Sequence, residues 1–176
     1  MNLIEPLHKI DFLRDLIAEA TDLVQRIPFK NNQTQFSLQV QADDDCDWYG
    51  SCGRIQQADR KIDEKDFKFV HPELKGSAIE KWLLSFNVPV FRARLMVMNQ
   101  RSTYSIHRDP TPRIHLPLIT NVQCLMCFPV AQVMKHLPAD GTSYMVDTTA
   151  PHTFINCSAE QRIHIVASTE LLSSSN

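Results

Sequence analysis

The segment Tyr104-Ser-Ile-His107-Arg-Asp109-Pro-Thr-Pro-Arg113-Ile-His115-Leu-Pro117 concentrates more chemistry than any other part of this chain, and the rest of the sequence reads as scaffold for it. His107 and Asp109 stand two positions apart. In an extended segment both side chains leave the same face, where an imidazole nitrogen and a carboxylate oxygen can converge on one ion. A further ligand is then required. His152, preceded by Pro151, is the candidate that the remaining sequence offers.

Two histidines and one carboxylate on one side of a metal make the facial triad of non-haem Fe(II) oxygenases. Beyond His152, Arg162-Ile-His-Ile-Val-Ala alternates as a strand whose inward set is Arg162, His164 and Val166. A guanidinium on an inward face needs a buried anion. His-x-Asp alone is a weak motif, because any chain with seven histidines can contain it. Joined to a distal histidine and a strand-initial arginine, it fits a metal beside a 2-oxoglutarate clamp, since the planar fork of arginine pairs bidentately with a terminal carboxylate.

On these residues, roughly Arg92 to Ser168, the sequence resembles the 2-oxoglutarate- and Fe(II)-dependent dioxygenases of the aspartyl/asparaginyl β-hydroxylase family, which includes enzymes hydroxylating free proline. The resemblance implies that His107, Asp109 and His152 are the iron ligands and that Arg162 takes the distal carboxylate of 2-oxoglutarate. It further implies that His115 contacts the other end of the cosubstrate and that Arg113 faces the substrate. Asp109 marks a departure from the animal aspartyl/asparaginyl hydroxylases, which lack the carboxylate ligand, and a likeness to the bacterial proline hydroxylases. The implied reaction hydroxylates an unactivated C–H bond of an amino acid, free or within a peptide or protein, and consumes O2 and 2-oxoglutarate. Two other readings stay open from the residues alone: a cupin-like metal-binding isomerase or sensor that does not use 2-oxoglutarate, and a metal-free jelly-roll binding domain.

With 176 residues the chain can bury about two-thirds of its unfolded surface in one core and is short for two. A single domain over 1–176 is expected, with helical and loop cover plus an edge strand in 1–89 and the jelly-roll core in 90–170. The net charge of -2, with 22% charged residues and no long basic run, lacks the footprint of a nucleic-acid binder. Met1 to Pro6 shows no secretory pattern. Ile114 to Met134 contains no Asp, Glu, Lys or Arg, but Pro117 and Pro129 interrupt it, and its polar residues would need partners in lipid. Two buried strands joined at Thr120-Asn121 fit better, and no membrane partner is expected. Five cysteines, an odd number, favour reduced thiols and a cytoplasmic protein.

Apolar residues between Asp11 and Ile27 recur at helical spacing and predict a sheet-covering helix. Gln35 to Val40 alternates as an edge-type strand, and Ser77-Ala-Ile-Glu80 predicts a capping box opening a short helix through Phe86. From Val90 onward short strands are expected at Val90 to Met98, Arg113 to Leu118, Val122 to Phe128, Thr142 to Val146, Thr153 to Asn156 and Arg162 to Ala167. With Gln35 to Val40 and the Tyr104 segment they make about eight, enough for a mainly β fold of two sheets, a double-stranded β-helix with helices on one outer face.

Several residues have two readings. Cys124-x-x-Cys127 invites redox or zinc chemistry, but on a strand the two thiols point to opposite faces, and a pair of core thiols is expected. His8, His71 and His136 lack partners at ligand spacing and read as solvated. Arg92 and Arg94 share a face with Met96 and Met98; that face is either exposed or aims an arginine at an acidic substrate group. Tyr104 reads as a hydrogen-bond donor to the cosubstrate or as filler beneath the metal segment. The aromatics of Ala42 to Gly53 read as packing or as a substrate cover.

Overall fold

Short alternating apolar runs make strands throughout this chain, and a computed structural model describes them over residues 2–30, 34–53, 55 and 62–170. In chain order these residues form β1 (Ile4–Lys9), α1 (Leu13–Arg26), β2 (Gln35–Ser37), β3 (Gln39–Val40), β4 (Phe69–Val70), α2 (Ala78–Leu83), β5 (Val90–Met98), β6 (Ser102–Thr103), β7 (Arg113–Ile119), β8 (Cys124–Phe128), β9 (Val133–His136), β10 (Thr142–Val146), β11 (Thr153–Asn156) and β12 (Arg162–Thr169). A six-stranded sheet has the order β1-β10-β7-β12-β5-β2, and a four-stranded sheet has β6-β11-β8-β9. All their pairings are antiparallel. The chain passes from the larger sheet to the smaller at Thr120-Asn121, as a jelly roll requires. The mainly β, double-stranded β-helix expectation holds.

Period-two alternation explains how one sheet serves two purposes. Ile114, Leu116 and Leu118 of β7, Ala93, Leu95 and Val97 of β5, and Ile163, Ile165 and Ala167 of β12 share one apolar cluster with Leu16, Ala20 and Leu23 of α1 and Trp82 of α2. The alternate residues face the other sheet: Arg92 and Arg94, Arg113 and His115, Arg162 and Val166 all line one cavity. A second, smaller cluster, including Met98, Met126, Phe128, Tyr144 and Phe154, fills the space between the sheets.

The helices are anchored by specific contacts. Glu19 of α1 accepts the backbone N–H groups of Ala78 and Ile79, and Trp82 donates its indole N–H to Ser143. Ser77 accepts from the N–H of Glu80, but the Glu80 carboxylate reaches Gly76 instead of Ser77, so only half of the expected capping box forms. α2 also ends before Phe86. Gly141, in the left-handed region at φ +89, could carry no side chain, because a Cβ there would lie 2.7 Å from the Ile10 carbonyl oxygen.

Other expectations need correction. The alternating Gln35 to Val40 run is broken at Leu38 and contributes to two sheets, with β2 on β5 and β3 on β4. The N-terminal region is more than cover, because β1 extends the larger sheet beside β10; its mixed exposure and Pro6 conceal the strand in the sequence. The Tyr104 segment forms no continuous strand, only the short β6 and an isolated bridge at His107. His71 is fully buried and stacks on Trp48 at 3.6 Å between ring centroids. His136 is half-buried on β9, and His8 is hydrogen-bonded to Ser85. Among the described residues no helix is long and apolar enough to cross a membrane.

Candidate metal centre and its cavity

Residues 107–111 are laced to residues 147–152 by main-chain bonds. His107 and His152 exchange N–H to carbonyl bonds of 3.0 and 2.9 Å, the N–H of Asp109 donates to Thr148 at 2.8 Å, and the Thr148 hydroxyl donates to the Thr111 carbonyl at 2.8 Å. This lacing brings the side chains of His107, Asp109 and His152 together, with one ligand atom from each within 4.8 Å of the others. Nε2 of His107 lies 3.9 Å from one oxygen of Asp109, and Nε2 of His152 lies 3.9 Å from the other.

The histidine tautomers follow from their neighbours. Nδ1 of His107 faces the Ser105 carbonyl at 2.7 Å and Nδ1 of His152 faces the Ala150 carbonyl at 3.0 Å. A carbonyl only accepts, so each Nδ1 carries the proton and each Nε2 presents its lone pair to the centre. Burial lowers the pKa of His152 and favours the neutral ring that a metal needs. The donor set therefore suits a divalent metal of the N/O type.

A cavity of about 650 Å³ opens from this centre between the sheets. Three of the arginines that line it are held in different states. Arg162 is buried and stacks over Phe154 at 3.9 Å. Its Nη2 donates to Nδ1 of His164 at 2.6 Å, while Nε and Nη1 have no partner among the described residues. Desolvation draws its pKa down to about 10, so it stays charged at neutral pH. The nearby Tyr104 hydroxyl and Nδ1 of His115 are also unpartnered among the described residues. Burial, reinforced by Arg162, holds both His115 and His164 well below the usual histidine range, so both are neutral. Unmatched donors in a buried, partly apolar chamber fit an anionic ligand such as a dicarboxylate.

Arg94 is the second arginine. Its Nη1 donates to Gln35 at 3.0 Å and its Nε is unpartnered among the described residues. Burial, with repulsion from Arg92 and Arg113, lowers its pKa to about 9. The third, Arg113, reaches the cavity wall with its guanidinium already engaged: Nη1 and Nη2 donate to Glu64 at 2.9 and 2.7 Å, Nη1 also reaches Thr111 and Ser168, and Nε lies 3.1 Å from Asp109 Oδ2. The inward arginines of β5 thus line the cavity and do not lie on an exposed face. Trp48 and Tyr49 pack elsewhere: Trp48 in the helix-side core, Tyr49 against the Pro28 carbonyl. Glu64 escaped the sequence reading because Asp63-Glu-Lys-Asp66 looks like any solvated charge run.

The sequence profile of the aspartyl/asparaginyl beta-hydroxylase family matches residues 56–170. No curated protein matches the chain. Among solved structures, AviO1 from Streptomyces viridochromogenes Tue57 is similar with a TM-score of 0.55 at 14% identity, covering 97% of this chain and 89% of that one. The viral collagen prolyl hydroxylase vCPH from Paramecium bursaria Chlorella virus-1, solved as its 2OG complex, is similar with a TM-score of 0.51 at 11% identity, covering 95% of each chain. These likenesses establish the fold, and the profile match establishes descent: the chain belongs to the aspartyl/asparaginyl β-hydroxylase family of 2-oxoglutarate-dependent dioxygenases.

Proposed function

We propose that this enzyme hydroxylates an amino-acid side chain of the Asp, Asn or Pro type, free or within a peptide, with Fe(II) held by His107, Asp109 and His152 and with 2-oxoglutarate anchored by Arg162. The observation that carries this reading is the shared cavity: three metal-type donors at one end and, deeper in, a buried arginine with two unmatched N–H groups. A generic metal-binding jelly roll leaves that guanidinium uncompensated, at a cost of several kcal/mol on the order of other buried unpaired charges.

Iron with 2-oxoglutarate and O2 supplies the oxidising chemistry that inserts one oxygen atom into an unactivated C–H bond. The chain's own residues orient and insulate. The Ser105 and Ala150 carbonyls fix the two imidazoles, Arg162 receives the far carboxylate of the cosubstrate with its fork, and neutral His115 and Tyr104 offer hydrogen bonds along its length. Met126, Phe154 and Val166 keep that part of the cavity apolar and exclude water. At the other wall, Arg94 meets no carboxylate among the described residues, only the neutral amide oxygen of Gln35, and keeps its Nε for an acidic group of the substrate, whereas Arg113, which the resemblance assigns to the substrate, is occupied by Glu64. Five free cysteines fit a reducing, cytoplasmic setting.

The test is a mass-spectrometric screen of free amino acids and short peptides with Fe(II), 2-oxoglutarate and O2. A product heavier by one oxygen atom, formed with succinate in equal amount, is expected. Failure of the wild-type protein to bind 2-oxoglutarate in the presence of Mn(II) would overturn the reading.

A further inference from the structure

Glu64 belongs to no motif in the sequence, yet its carboxylate is saturated by the charged groups around the cavity. Oε1 accepts from Nη2 of Arg113 at 2.7 Å and from Nη1 of Arg92, and Oε2 accepts from Nη1 of Arg113 at 2.9 Å and from the Thr111 hydroxyl at 2.8 Å. The backbone is bent to allow this. Between Phe91 and Arg94 the register of β5 against β12 gains one residue, and the extra residue, Arg92, sits at φ +50, a strained conformation for a side chain of its size. That bulge turns Arg92 toward Glu64 and the carbonyls of Ser51 and Gly53.

With both terminal nitrogens of Arg113 held by Glu64, Thr111 and Ser168, its Nε lies 3.1 Å from Oδ2 of Asp109 as an ion pair without hydrogen-bond alignment. We infer that Glu64 is a positioning residue for the metal centre: through Arg113 it fixes the rotation of the Asp109 carboxylate, so that one oxygen is shared with Arg113 and the other faces His107. Glu64 is not one of the three metal-type donors and acts on them through Arg113. Its role is to hold the fork of Arg113 in the one orientation that leaves Nε turned to Asp109. This rests on the proposed assignment of Asp109 as a metal ligand.

The experiment follows Co(II) binding to the metal-free protein by visible absorption and calorimetry, without 2-oxoglutarate or substrate. Glu64→Gln keeps the shape of the side chain but weakens its hold on Arg113. Arg113→Lys keeps the charge, but one ammonium cannot bridge Glu64 and Asp109 as the fork does. Both variants are expected to lose about 10- to 100-fold in Co(II) affinity, the usual cost of removing a group that orients a ligand, and to shift the Co(II) absorption bands while keeping the wild-type circular dichroism. Arg92→Lys disturbs the same carboxylate at Oε1 but leaves the bond from Arg113 to Oε2 in place, and is expected to keep the wild-type bands. Wild-type affinity and bands in a folded Glu64→Gln protein would overturn the inference; if that variant does not fold, the same result in Arg113→Lys does so. A wild-type protein that binds no Co(II) strikes the metal assignment itself.

Discussion

His107 and His152 form an antiparallel bridge, each donating its backbone N–H to the other's carbonyl, and this holds their imidazole rings with centroids 4.4 Å apart. The bridge makes the metal centre a property of the main chain. Replacing His107, Asp109 or His152 with alanine removes a proposed metal ligand and leaves the backbone groups of the bridge in place. Each variant is expected to lose measurable Co(II) binding and turnover while its stability changes by about 1 kcal/mol, because all three residues lie outside the two apolar clusters. Calorimetry with Co(II) and thermal unfolding followed by circular dichroism measure the two quantities separately.

Arg162→Ala is expected to weaken 2-oxoglutarate binding to the Mn(II)-loaded protein without changing Mn(II) affinity. Losing one partner of a desolvated, hydrogen-bonded charge pair costs about 2–5 kcal/mol, a drop of about 30-fold to several-thousand-fold. Lysine should restore part of this, since it returns the charge without the fork. Unchanged affinity in the alanine variant would remove Arg162 from the cosubstrate site.

Arg94 and His115 are expected to separate kinetically. Arg94→Met should raise the substrate KM by about 10- to 150-fold, taking about 1.5–3 kcal/mol for a hydrogen bond to a charged group. It should leave substrate-independent turnover of 2-oxoglutarate in place. His115→Ala should instead raise the KM for 2-oxoglutarate. Steady-state assays that monitor succinate and hydroxylated product in parallel distinguish the two; the same defect in both variants would refute the division.

Glu64 also links the cavity wall to acid stability. Burial alone would raise its pKa, but the charge and hydrogen bonds of Arg113, the Thr111 hydroxyl and the charge of Arg92 outweigh it and hold the carboxyl at about 2. A carboxyl whose pKa is lower folded than unfolded binds its proton more readily in the unfolded chain. Its stabilisation is therefore complete above the ordinary glutamate range near 4.5 and disappears as pH falls toward 2. The contribution is about 3 kcal/mol, from roughly 1.4 kcal/mol per pKa unit. Urea unfolding at pH 7 and at pH 3 is expected to show a stability gap between wild type and Glu64→Gln that narrows in acid; a gap constant with pH would contradict this linkage.

The sequence alone determined the alternation that builds strands of both sheets. Val90 to Met98, Thr142 to Val146 and Thr153 to Asn156 form strands with the expected bounds, and the inward set of Arg162, His164 and Val166 is where period two puts it. Local periodicity suffices there because each residue's face depends only on its neighbours along the strand. His107, Asp109 and His152 were legible for a related reason: few chemistries need that combination, so residue type and spacing restrict the options before any contact is known. Tertiary structure decided the rest. Whether an inward arginine is free or satisfied depends on what comes to meet it, and neither Glu64, from a charged turn that looks solvated, nor Gln35, from the neighbouring edge strand β2, is near Arg113 or Arg94 in sequence. The burial of His71 under Trp48 and the addition of β1 to the sheet edge were hidden for the same reason: long-range packing sets them, and it leaves no period in the local sequence.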